Sequence, residues 1–148
     1  MAQDVRFSRD VSGDMLLQLQ AKLDGGSGAT MILLYDGTRP VTPETAVTTQ
    51  TLLAKSPSSS STTCATETPT GTITFAAITT VNAEAFSAPT SRTATWARFV
   101  QSDGATPGTA VMDCDVGLVG SGKFIEMVTT TVVASAPVSY SSGTITFP

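Results

Sequence analysis

TATWARFVQSDGAT, residues 93–106, runs into AVMDCDVG, residues 110–117, and the class of this protein turns on how the two are read together. In the first arm Ala94, Trp96, Arg98 and Val100 alternate with Thr93, Thr95, Ala97 and Phe99. In the second, Met112, Cys114 and Val116 alternate with Asp113 and Asp115. A period of two puts successive side chains on opposite faces of a strand. The linker SDGATPG supplies Gly and Pro where a chain reverses, so the arms are expected to pair as an antiparallel hairpin. Trp96, the single Trp, is then a core residue. Arg98, further along the same face, stacks over it or reaches a partner carboxylate.

Working outward, the same chemistry recurs. ATMILLY (29–35) reads as a buried strand closed by an Asp36-Gly37 turn, Leu52 to Ala54 as a short strand, and GTITFAAI (71–78) as an alternating one. EMVTTTVV (126–133) and VSYSSGTITF (138–147) complete seven or eight strands. The pentapeptide GTITF occurs at 71–75 and 143–147 without matching flanks and is read as convergent strand chemistry. Thr and Ser together number 42 while charged residues make up 14% of the chain, a composition for strands and turns. The expected fold is mainly β, an antiparallel β-sandwich or jelly roll, with one short N-terminal helix. That helix is DMLLQLQAKLDGG (14–26), with Leu16, Leu19 and Leu23 on one face, Ser12 or Asp14 as cap, and Gly25-Gly26 as a left-handed stop. Residues 1–12 form an extended arm whose large apolar anchors are Val5 and Phe7, and 13–148 a single β-sandwich domain. From Thr42 to Thr70, Thr, Ser and Pro predominate and indicate, apart from the short strand, an exposed loop.

Charge and residue usage narrow the function. The net charge is −4 and no two Lys or Arg are adjacent, which argues against nucleic acid and anionic membrane as partners. No apolar run reaches membrane-spanning length and the N-terminus lacks the core of a signal peptide, so synthesis in a cytoplasm is expected. There is no His, and Cys64 and Cys114 lack metal-ligand spacing. Two free thiols, Cys114 buried, are favoured over a Cys64–Cys114 disulfide. Asp103, Asp113 and Asp115 near one hairpin suit a calcium site less well than the solvated face of a strand. Aspartates on both sides make Cys114 a poor nucleophile. GGSG (25–28) follows a helix instead of opening one, and GLVGSGK (117–123) lacks phosphate-loop spacing, so both are loops. Neither a cofactor nor catalysis is expected. A carbohydrate-binding module would need Trp96 exposed.

The quoted hairpin resembles a pattern in small virion proteins of tailed double-stranded DNA bacteriophages: a Thr-Ala-Thr-Trp strand, an Arg followed by two apolar residues, a Ser-Asp-Gly turn and a Val-x-Asp strand ending in Val-Gly. The helix MLLQLQAKLDGG leading into MILLYDGTRP, and the closing TITF, are similar to the same family, so the resemblance runs over most of residues 14–148. Asp-Cys-Asp at 113–115 departs from it. The resemblance implies a non-enzymatic capsid decoration or cement protein on the outer surface of the head, forming a homotrimer and binding the major capsid protein. Val5, Arg6, Phe7 and Arg9 of the arm are the candidate partner-binding residues. A tail, neck or fibre-associated virion protein is the alternative within this class.

Overall fold

A computed structural model of the chain describes residues 8–58, 64–67, 72–75, 78–87, 89–103, 107–140 and 144–146. One helix, α1 (Arg9–Leu23), precedes the strands β1 (Met31–Tyr35), β2 (Leu52–Pro57), β3 (Cys64–Glu67), β4 (Thr72–Phe75), β5 (Val81–Asn82) and β6 (Ser91–Thr93). The longest hairpin, β7 (Trp96–Ser102) and β8 (Pro107–Leu118), follows, then β9 (Ile125–Met127), β10 (Thr131–Val133), β11 (Pro137–Val138) and β12 (Thr144–Thr146). The protein is therefore mainly β with one helix. Its centre is a five-stranded sheet in the order β2-β1-β7-β8-β9. Smaller ladders join β10 to β6, β11 to β5, and β12 to β4 to β3.

The hairpin register is the one that the alternation requires. Trp96 lies opposite Asp115, Ala97 opposite Cys114 and Arg98 opposite Asp113, with irregularities only beyond Phe99. On the other side β1 pairs with β7, Tyr35 opposite Trp96 and Leu33 opposite Arg98. β1 is buried at every position and β7 at all but Gln101, because the central sheet is covered on both faces. One face carries Ile32, Leu34, Ala97, Phe99, Cys114 and Val116 against Leu16 and Leu23 of α1. The other carries Met31, Leu33, Tyr35, Trp96 and Val100, with Val47 packed against it from the segment between β1 and β2. Ala94, placed with Trp96 by the alternation, lies instead in the first cluster, since residues 94–95 fall outside any strand.

Three local features differ from the sequence expectation. The helix begins at Arg9, earlier than residue 14, because Ser8 caps it: Ser8 Oγ accepts from Val11 N–H at 3.4 Å. Residues 9–12 of the expected arm are thus the first helical turn, while Val5, Arg6 and Phe7 lie outside the described residues. At the other end the last carbonyls are satisfied by side chains. Thr30 Oγ1 donates to Leu23 O at 2.7 Å and Gln101 Nε2 to Lys22 O at 2.7 Å. Gly26 is not a left-handed stop but a site of close approach, since a Cβ there would lie 2.2 Å from Ser102 O.

The third difference is β9, which runs parallel to β8, Val116 opposite Ile125 and Leu118 opposite Met127. Parallel neighbours usually need a crossover of a dozen residues or more. Here residues 119–124 suffice, because Gly120 and Gly122 adopt φ of +82° and +71°. Their N–H groups donate to the two carboxylate oxygens of Glu126 at 3.0 and 2.9 Å. Residues 119–123 of GLVGSGK are a loop, as expected, while Gly117 and Leu118 close β8, and this closure is the reason for Gly120 and Gly122.

Candidate functional site

The residues with the most chemistry in the sequence meet on the Trp96 face. The Tyr35 and Trp96 rings stack with centroids 4.5 Å apart and planes 12° from parallel. The Arg98 guanidinium lies 5.4 Å from the Trp96 ring centroid. It also grips Asp113 with two bonds, Nε to Oδ1 at 2.7 Å and Nη2 to Oδ2 at 2.8 Å. Both side chains are buried, at 8% and 6% exposure. Asp113 therefore lines an interior and not the solvated face expected of it. The remaining Arg98 donors reach Thr45 O at 3.0 Å and Thr42 O at 3.4 Å, so this one side chain ties the segment between β1 and β2 down over the sheet.

The same segment is held along its length. Trp96 Nε1 donates to Asp36 O at 3.1 Å, Thr95 Oγ1 to Gly37 O at 2.6 Å, and Gln50 Nε2 to Thr38 O. Arg39 bonds Asp115 at 2.9 Å, with Lys123 at 3.4 Å from the other carboxylate oxygen. Arg92 Nη1 bonds Asp36 Oδ2 at 2.7 Å and its guanidinium lies 5.9 Å from the Phe86 ring centroid. Burial pushes the Asp36 pKa up, but the Thr51 backbone amide and the Arg92 guanidinium outweigh it and hold the carboxyl below its ordinary value. The hydrogen bonds that Arg98 donates to Asp113 raise the Arg98 pKa further, keeping it charged.

The candidate calcium carboxylates diverge. Asp103 accepts from Ser27 Oγ at 3.3 Å, Asp113 faces Arg98, and Asp115 faces Arg39 and Lys123. Among the described residues no three metal-ligating side chains gather. Cys114 is a free thiol, as favoured, and is buried, its Sγ donating to Ala97 O across the hairpin at 3.7 Å. Burial first, then Asp113 and Asp115, push its pKa up, which suppresses the thiolate. Trp96 is 1% exposed, so it offers no face to a sugar.

Surface chemistry of a different kind lies at the β8–β9 end. Leu118, Val119, Val128 and Val133 are exposed at 52%, 59%, 80% and 48%. The first three share the β8–β9 pairing, since Val119 N–H donates to Met127 O at 3.0 Å, next to Val128, and Leu118 lies opposite Met127. Val133 lies on β10, opposite Ser91 of β6. Beside Val128 opens a cavity of about 310 Å³ lined also by Met127, Thr131, Val132, Pro137 and Val138. Sequence reasoning missed this surface. Its signal was the apolar pair Leu118-Val119 set in a glycine-rich turn, where nothing in the hairpin calls for large side chains. Of the partner-binding residues expected from the sequence, Arg9 opens α1, while Val5, Arg6 and Phe7 lie outside the described residues. No helix among the described residues is long and apolar enough to cross a membrane. No family model, curated protein or solved structure matches the chain.

Proposed function

We propose that this protein is a structural virion component, a decoration or cement protein that binds the outer surface of a bacteriophage head and bridges capsid subunits. The observation that carries the reading is the exposed aliphatic rim of Leu118, Val119 and Val128 at the β8–β9 end, with the cavity that Val128 lines beside it. Apolar side chains grouped on a surface mark a protein contact, and burying each fully contributes about 1.5–3 kcal/mol. The central sheet behind the rim is locked on both faces, which makes it a rigid platform for such a contact. The resemblance of residues 93–117 to small virion proteins supports the same reading. In it the major capsid protein is the partner, copies assemble as a homotrimer, and the domain is a sandwich-type β fold. Residues Val5, Arg6, Phe7 and Arg9 add a second attachment. Several weak contacts per trimer then hold the shell through multivalency, without catalysis or cofactor. The net charge of −4 suits an outer surface better than packaged DNA.

Gold-labelled antibody against the protein, viewed on intact virions, tests the location. Label over heads is the expected result, and label confined to tails or absent from intact and opened particles refutes it. Val119→Asp with Val128→Asp is expected to weaken attachment to emptied capsids, and undiminished attachment removes the rim from the reading.

A further inference from the structure

The two copies of Gly-Thr-Ile-Thr-Phe, read from the sequence as coincidental, are paired with one another in the fold. β12 runs antiparallel to β4 with Thr144 opposite Thr74, Ile145 opposite Ile73 and Thr146 opposite Thr72. The third residue of one copy faces the third of the other, and second faces fourth. A two-fold axis through the Ile73–Ile145 pair therefore exchanges the two sequences. This is a register in which two identical GTITF strands can also pair antiparallel.

β4 sits between β3 and β12, and β12 lies at the edge of this ladder. Just before β12 the chain is pinned: Tyr140 bridges to Met127 and its hydroxyl lies 2.7 Å from Ser56 Oγ. Between Tyr140 and Thr144 the sequence is Ser141-Ser142-Gly143. We propose that β12 is an exchangeable strand, and that the β4 edge takes the β12 of a second copy of this chain in the same antiparallel register. The β4 edge meets the same pentapeptide in either case, so the ladder is conserved on exchange and protein concentration decides which pairing prevails. Four Cα steps from Tyr140 to Thr144 reach about 13–14 Å. The recipient β4 must lie within that distance of the donor's Tyr140, which favours reciprocal exchange in a closed assembly over open chains. The inference rests on strand register alone and stands apart from the virion reading.

The test uses two full-length proteins, both carrying Cys64→Ser to remove the thiol on the neighbouring strand. One also carries Thr74→Cys and the other Thr144→Cys, the two opposed positions. After mixing and mild oxidation, a disulfide-linked heterodimer is expected, with a band that grows with protein concentration. A single chain carrying both substitutions is expected to close within itself on dilution. A mixture giving no more heterodimer than Thr74→Cys mixed with Ser135→Cys, an exposed position outside the ladder, overturns the exchange. Failure of the doubly substituted chain to close at any dilution overturns the register on which it rests.

Discussion

Asp113→Ala tests the reading of the Trp96 face. In the native protein Arg98 gives two short bonds to Asp113 and weaker ones to the carbonyls of Thr42 and Thr45, all within an interior where the two side chains are 8% and 6% exposed. Removing the carboxylate leaves a guanidinium that stays charged, with two carbonyls as its remaining protein acceptors. Breaking one side of a buried pair costs about 3–5 kcal/mol, chiefly as the penalty of the stranded charge. For a chain of this size that is a fall in Tm of roughly 6–20 °C. Replacing both partners, as Arg98→Met with Asp113→Leu, removes the stranded charge as well as the attraction. The double variant is expected to be far more stable than the sum of the single losses predicts. Its residual loss reports the anchoring of Thr42 and Thr45 together with the Trp96 ring contact. Urea unfolding followed by circular dichroism gives the four stabilities of the cycle, and Trp96 fluorescence reports the same face independently. A loss below about 1 kcal/mol for Asp113→Ala would be the value of an exposed pair and would refute the claim that this one is sealed.

Arg39→Ala is expected to cost about 0–1 kcal/mol in the same assay, because Arg39 and Asp115 are 42% and 47% exposed and solvent screens them. Tyr140, pushed up to about 12 from 10.0 chiefly by burial, ionises first in the unfolded chain. Stability present below pH 10 is therefore lost as pH rises toward 12, by about 1.4 kcal/mol per unit, and Tyr140→Phe is expected to flatten the decline in urea midpoint. Gly26→Ala brings a Cβ against Ser102 backbone atoms and is expected to cost about 1–3 kcal/mol in thermal unfolding. In a Cys64→Ser background, Cys114 is expected to resist a thiol reagent until denaturant is added, and rapid native labelling would contradict its burial.

The hairpin, the buried Trp96, the core Cys114 and the leucine face of the helix were legible in the sequence because each is a local periodicity that a few neighbouring residues express. Arg98 could be assigned either the Trp96 ring or a carboxylate from its place on the strand, and it takes both. That the carboxylate is Asp113 follows from hairpin register. The solvated face expected for Asp113 was wrong because alternation marks two faces without saying what covers them. Here the chain between β1 and β2 returns over the polar one. The partnerships of Arg39 with Asp115 and Arg92 with Asp36 join residues far apart in sequence, and no local pattern announces them. The aliphatic rim was missed for the same reason, since Leu118 and Val128 become neighbours only through the parallel return of β9.

By itself the sequence determined a mainly β chain with one helix and a core built around residues 96–100. Backbone period and side-chain chemistry act over a few residues and suffice for that. The exposed loop expected from the short strand to Thr70 is overturned by β3 (Cys64–Glu67), which pairs with β4. Tertiary structure decided that both faces of the central sheet are buried, that β9 runs parallel to β8, and that the two GTITF strands meet. Those outcomes depend on which distant segments satisfy each other's backbone hydrogen bonds and apolar surface, a competition settled only when the whole chain packs.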